Sequence, residues 1–208
     1  MKIALLGGSF DPPHLGHYLI AQQVREQLAM DEVWLIPLYQ KDLQDKAFHK
    51  QLSSVEDRVT MAKFLKNSFI KVSQFEIEQN QTSYTLKTLQ GLTTKYPEHT
   101  FYWILGSDQL ESFQKYYHWQ ELVQKHNLII FPREHMLWHL EERVKEAFQL
   151  QTIPENVIVL HKDDLVLTNI ASSVIRKRIK KGLPIKYLVP KEIEEYLRKK
   201  GLYSKRKT

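Results

Sequence analysis

Gly7-Gly8-Ser9-Phe10-Asp11-Pro12-Pro13-His14-Leu15-Gly16-His17 is the densest chemical stretch of this 208-residue chain. Glycines let a phosphate approach the backbone closely. His14 and His17 stand three apart where an apolar helical pattern begins, so their side chains share one face about 5–6 Å apart. A helix leaves its first N–H groups unpaired, and its dipole favours an anion there. Two imidazoles beside such an end can both donate to phosphate oxygens. Each feature alone has a plainer reading: the glycines as a tight turn, the histidines as surface residues. Zinc lacks an obvious third ligand, so no protein metal site is assigned. The spacing is neither the dinucleotide-binding G-x-G-x-x-G nor a phosphate loop ending in Gly-Lys-Ser/Thr.

Ser172, Ser173 and Arg176 repeat the theme near the other end of the chain. Hydroxyls at a helix start cap it. With free N–H groups they also form a phosphate cradle, to which Arg176 adds a delocalised cation. Gly106, after the apolar run Phe101–Leu105, permits close backbone approach. Asp108 can accept from ribose hydroxyls, cap the following helix, or do both. On their own, Arg133 reads as a surface arginine and Thr85 as a helix-start residue.

These side chains need a frame to bring them together. Lys2–Leu6, Val33–Ile36, Phe69–Val72, Phe101–Leu105, Leu128–Phe131 and Val157–Leu160 read as short strands. Helical patterns are predicted at His14–Met30, with Leu15, Leu19, Val24 and Leu28 as its apolar positions, and at Ser54–Leu65, where Ser54 and Asp57 suggest a capping box. Further helices fit Tyr84–Leu92, Gln109–Phe113, Trp119–Lys125, Met136–Phe148, Val174–Lys181 and Lys191–Lys200. Residues 38–52 lack periodicity and read as a long loop of the kind that often carries function. The alternation predicts an α/β fold: a Rossmann-like, doubly wound parallel sheet with a small C-terminal helical appendage. Residues 1–208 are expected to form one domain, with 172–208 as its helical C-terminal part. In such sheets ligands bind at the carboxyl ends of the strands.

Composition narrows the function classes. The chain has no cysteine, which removes thiolate nucleophiles, cysteine zinc sites and disulfides together. No apolar run approaches the ~18 residues of a membrane span, and the first residues lack a signal-peptide core. A cytoplasmic protein without a membrane partner is expected. Arg176 to Thr208 hold 13 Lys/Arg against 3 Asp/Glu, whereas the rest holds 17 against 21. A basic end attracts polyanions such as nucleotide phosphates; its plainer reading is a solvated surface with a frayed tail. Without interleaved aromatic residues it makes no single-strand binding platform, so no nucleic acid is expected. A homo-oligomer is compatible with all of this.

His14-Leu15-Gly16-His17 resembles the (H/T)xGH signature of the nucleotidyltransferase superfamily. The preceding Gly-Gly-Ser-Phe-Asp-Pro is similar to the bacterial nicotinate-nucleotide adenylyltransferase family of NAD biosynthesis. Ser83–Leu89, Ile104–Asp108, Arg133 and Ile170–Arg176 match that family in order, and Leu188-Val189-Pro190 and Gly201-Leu202-Tyr203 look like its C-terminal end. The resemblance therefore covers almost the whole chain. It implies adenylyl transfer from ATP to nicotinate mononucleotide, giving nicotinic acid adenine dinucleotide and pyrophosphate, with Mg²⁺ accompanying ATP. It implies catalytic roles for His14, His17 and Arg176, and ATP contacts from Gly7, Gly8, Ser9, Phe10, Gly16, Gly106, Asp108, Ser172 and Ser173.

The same resemblance puts Thr85 beside the nicotinate ring and Arg133 at the mononucleotide phosphate. It departs from the family pattern in three places. Ala47-Phe48-His49-Lys50 stands, displaced, where the family commonly has Pro-Pro-His-Lys, so His49 and Lys50 are phosphate contacts or a solvated loop. Tyr116, followed by Tyr117, stands for the family's ring-stacking tryptophan, and Ala171 replaces a serine. These departures keep open a preference for nicotinamide mononucleotide or another phosphorylated acceptor. A nucleotide- or RNA-binding module without catalysis is the remaining alternative.

Overall fold

Strand β1 (Lys2–Gly8) shows how the frame is made. Ile3 and Leu5 point into one apolar core, Ala4 and Leu6 into the other. The period of two has no polar side because both faces of the sheet are covered. Strands β2 (Glu32–Pro37), β4 (Thr100–Gly106) and β5 (Asn127–Phe131) divide their side chains in the same way. With β3 (Ile70–Val72) and β6 (Val157–Val159) they form a six-stranded sheet in the order β3-β2-β1-β4-β5-β6. Every pairing is parallel.

This computed structural model describes residues 1–39, 52–133, 139–161, 163 and 165–204. The sheet winds outward from β1 through β2 and β3, then returns to β1's other side and continues from β4. That reversal leaves a crevice between the carboxyl ends of β1 and β4. Gly7-Gly8 ends one of these strands and Gly106 the other. The doubly wound α/β expectation is therefore met.

The helices are α1 (Leu15–Leu28), α2 (Val55–Lys63), α3 (Phe75–Gln79), α4 (Thr85–Lys95), α5 (Trp119–Lys125), α6 (Leu140–Phe148), α7 (Ser172–Lys180) and α8 (Lys191–Lys200). Ser54 caps α2 by accepting from the Asp57 N–H at 3.0 Å, and its hydroxyl donates to the Asp57 carboxylate. Ile175 of α7 and Ile193 and Leu197 of α8 pack into the same core as Ala4 and Leu6. The C-terminal helices thus share the sheet's core. No helix among the described residues is long and apolar enough to cross a membrane.

Several local expectations are corrected. Helix α1 buries Ile20, Ala21 and Val24, while Leu15, Leu19 and Leu28 are only partly covered. The chain from Ser107 to Lys115 is a 3₁₀ helix, tighter and longer than the helix expected at Gln109–Phe113. Helix α6 is described from Leu140, and residues 134–138 lie outside the described set. The short α3 went unpredicted, because five residues give too few turns for periodicity to register.

Candidate active site

The β1–α1 loop is shaped by packing before any ligand is considered. A Cβ on Gly7 would overlap the Trp103 ring of β4, so the neighbouring strand itself requires glycine there. Phe10 takes a left-handed backbone, φ +49°, and its ring is wholly buried 4.9 Å from the His17 imidazole. Such a conformation costs a bulky residue about 1–3 kcal/mol. Phe10 therefore supports His17 from beneath, and only its backbone is left to meet a nucleotide. The Asp11–Pro12 peptide is cis. His14 then caps α1 in an extended conformation.

The two imidazoles lie against each other, tilted by 35°, with ring centres 3.8 Å apart, closer than the spacing of neighbouring helical positions requires. The His14 backbone N–H donates to His17 Nδ1 at 3.2 Å. A nitrogen that accepts carries no proton, so the His17 proton sits on Nε2. Gly16 leaves room for the pair: a Cβ there would lie 2.9 Å from His14 Nδ1. Burial, and then the Arg133 charge, push the His14 pKa down to about 3. Burial, then His14, then Arg133 hold His17 well below the usual histidine range. Both rings are neutral near pH 7. They offer hydrogen bonds, and arginines supply the positive charge.

Arg133 follows β5, and its N–H donates to Ser107 Oγ at 2.9 Å. Its Nε lies 3.6 Å from Asp108 Oδ1. A Cβ on Gly106 would overlap that carboxylate and come within 3.3 Å of Arg133 Nε. Gly106 therefore makes room for an ion pair, which the sequence alone did not suggest. Asp108 stands in the first turn of the 3₁₀ helix, whose cap is Gly106, so Asp108 is not the cap.

The other end of the chain reaches the same loop. Ser172 Oγ donates to the Pro12 carbonyl at 2.8 Å. Arg176 Nη1 donates to the Asp11 carbonyl at 2.6 Å. The cap of α7 is Ala171, so the Ser172 hydroxyl tethers the β1–α1 loop and does not cap the helix. Ser173 is exposed. Five N–H donors on a guanidinium leave Arg176 with capacity beyond its one backbone bond.

Thr85 is the first residue of α4. Ser83 Oγ, just before it, accepts from the Tyr39 N–H at 3.0 Å. Tyr116 turns inward: its ring packs 5.1 Å from Phe113 and its hydroxyl donates to Gln109 Oε1. Burial and the Asp108 charge raise its pKa to about 12. Tyr117 is the more open ring, 42% exposed, with its centre 4.8 Å from that of Tyr84 and the two planes tilted by 36°. Of the two tyrosines, Tyr117 is the one placed to present a face. His49 and Lys50 lie outside the described residues.

Four residues with no role read from the sequence, Asp11, Ser53, Arg58 and Tyr203, hold this arrangement together. Asp11 is wholly buried, and Tyr203 and the Ser53 N–H both donate to its Oδ1. Arg58, almost wholly buried, donates to the carbonyls of Ser9 at 2.9 Å, Ser53 at 3.3 Å and Tyr39 at 3.4 Å. Asp11 stood inside the first motif and Tyr203 inside Gly201-Leu202-Tyr203, and these positions were the signals available. A charged residue on an ordinary helix gives no sign that its target is a distant carbonyl.

The family described as Cytidylyltransferase-like matches residues 5–178. A Halalkalibacterium halodurans protein named "Probable nicotinate-nucleotide adenylyltransferase" is 33% identical over 205 residues, covering 97% of this chain and 91% of its own. A Lactiplantibacillus plantarum protein of the same name is 34% identical, covering 97% of this chain and 88% of its own. Among solved structures, the Plasmodium falciparum nicotinic acid mononucleotide adenylyltransferase complexed with NaAD superposes with a TM-score of 0.78. It covers 97% of both chains at 22% identity, a likeness of fold. By sequence over almost its full length, the chain belongs to the nicotinate-nucleotide adenylyltransferases of the cytidylyltransferase-like family.

Proposed function

We propose that this protein transfers the adenylyl group of ATP to nicotinate mononucleotide, giving nicotinic acid adenine dinucleotide and pyrophosphate. The observation that carries the reading is His17 in the first turn of α1, its Nδ1 accepting from the His14 N–H so that Nε2 carries the proton, beside the β1–α1 loop to which Arg176 donates. Such a site donates to phosphate oxygens without gaining or losing a proton. The mononucleotide phosphate attacks the α-phosphorus in line, and the bond from that phosphorus to the α,β-bridging oxygen breaks, so that the β- and γ-phosphates leave together as pyrophosphate. The nucleophile is already an anion, so no strong base is needed. The protein's task is positioning and charge neutralisation.

His17 faces the charge that builds at the α-phosphate, with His14 beside it. Arg176, Ser173 and the start of α7 hold the leaving β,γ-phosphates. Gly7, Gly8, Ser9, Phe10 and Gly16 lend backbone to ATP, and Asp108 accepts from ribose hydroxyls. Arg133 meets the mononucleotide phosphate, Thr85 the pyridine ring, and Tyr117 its face. Lys87 Nζ lies 5.2 Å from the Tyr84 ring and 5.5 Å from that of Tyr117, and a cation there favours a carboxylate over an amide. The described residues include no cluster of three His, Asp or Glu that would cage a metal. Mg²⁺ suits this donor set, since it binds substrate phosphates and keeps several waters. When bound it would neutralise phosphate charge.

The test is the product. Incubation with Mg-ATP and nicotinate mononucleotide is expected to give the dinucleotide mass and one pyrophosphate per product. Nicotinamide mononucleotide is expected to react more slowly. No product with the acid, or faster turnover of the amide, would overturn the reading.

A further inference from the structure

The carboxylate of Asp11 is enclosed by segments that the chain brings together from far apart. Tyr203 donates to Oδ1 across 192 positions of sequence. The Ser53 N–H donates to the same oxygen at 3.2 Å, and Ser53 Oγ donates to the Tyr203 oxygen at 3.0 Å. The chain of donors therefore runs one way, from Ser53 to Tyr203 to Asp11. Oδ2 has no hydrogen-bond partner among the described residues and lies 3.9 Å from Arg176 Nη1. The same nitrogen donates to Asp11's own carbonyl. Asp11 thus addresses Arg176 with both its backbone and its side chain.

A buried carboxylate depends on each hydrogen bond it keeps, because burial without partners is costly. Removing the Tyr203 hydroxyl would leave Oδ1 with the Ser53 N–H alone. We propose that Tyr203 is a positioning residue for ATP: its hydroxyl fixes the Asp11 carboxylate, and Asp11 in turn aims the Arg176 guanidinium at the nucleotide phosphates. Nothing in the sequence near Tyr203 announces this. Its left-handed backbone, φ +61°, follows the Gly201 cap of α8 and turns the chain back over the β1–α1 loop. The inference rests on Arg176 holding ATP phosphates, as assigned above.

The test is Tyr203→Phe, with both substrates titrated in steady state and a non-hydrolysable ATP analogue titrated calorimetrically without the mononucleotide. Losing one hydrogen bond to a charged group is expected to raise KM for ATP on the order of tenfold. The analogue should weaken equally, and KM for the mononucleotide should stay within about twofold. Tyr196→Phe is the control. Its hydroxyl donates to Asp57 Oδ1 at 2.7 Å, tethering the same C-terminal segment away from the loop, and its KM for ATP should not move. Placed in an Arg176→Ala background, Tyr203→Phe should add almost nothing. If Tyr203→Phe does not fold, Asp11→Asn is expected to give the same ATP-selective loss.

An unchanged KM for ATP in Tyr203→Phe would overturn the proposal, as would an equal rise in Tyr196→Phe. So would a Tyr203→Phe penalty undiminished in Arg176→Ala. An Arg176→Ala protein with ordinary ATP kinetics would remove the Arg176 assignment and this inference with it. A wild-type protein that makes no dinucleotide would fail earlier, on the reaction itself.

Discussion

Lowering the pH from 7.5 to 5 should destabilise this protein through His14. In the folded state burial and Arg133 hold its pKa at about 3, against 6.5 for the ordinary group. Below pH 6.5 the unfolded chain therefore takes up a proton that the folded chain refuses until about pH 3. The stabilisation is complete above pH 6.5 and is lost as pH falls. Between pH 7.5 and 5 the loss from this one group is about 2 kcal/mol. His17 contributes with the same sign, because its pKa is also depressed. With a urea slope of about 2 kcal/mol per molar, the His14 share moves the midpoint by about 1 M. Equilibrium urea unfolding of wild type and His14→Asn at both pH values measures it. The variant is expected to lose about 2 kcal/mol less than wild type over the same interval, whatever its absolute stability. An identical pH loss in both proteins would refute the reasoning.

His17→Ala should remain folded and lose about 10²–10³ in kcat, the usual cost of one donor to developing phosphate charge. Near-normal turnover in the folded variant would remove His17 from the chemistry. Gly7→Ala should destabilise by about 1–3 kcal/mol through overlap with the Trp103 ring. A thermal midpoint equal to wild type would show that the glycine is not required by packing.

The frame was legible because the sheet's core strands are buried on both faces. Ile3–Leu6 and Leu128–Phe131 are short apolar runs with no polar alternation, as strands of a sheet covered on both faces read. Glycines and prolines closed the runs where strands ended. What escaped was structure too short or too tight for periodicity: α3, and the 3₁₀ helix from Ser107. The stripe on α1 was misplaced for a related reason. The helix buries small Ala21 and Gly16 against the loop and sheet, while larger Leu15 and Leu19 stay partly covered.

The site was legible in its types and not in its wiring. Histidines, serines and an arginine near glycines announce phosphate chemistry, but they leave the proton on His17 unplaced. The fold places it, by turning the His14 N–H, otherwise unpaired at the start of α1, onto Nδ1. Burial and the Arg133 charge then keep both rings neutral. A histidine cation would attract phosphate more strongly, yet its charge would vanish and return as pH crossed its pKa. Here that variability is removed. Permanent charge comes from guanidiniums, which do not titrate in the working range, and direction comes from an imidazole whose one proton is fixed by backbone. The buried Asp11 carboxylate lies beside one of those guanidiniums, Arg176. Its carboxylate offsets part of the positive charge that Arg176 and Arg58 bring to the β1–α1 loop.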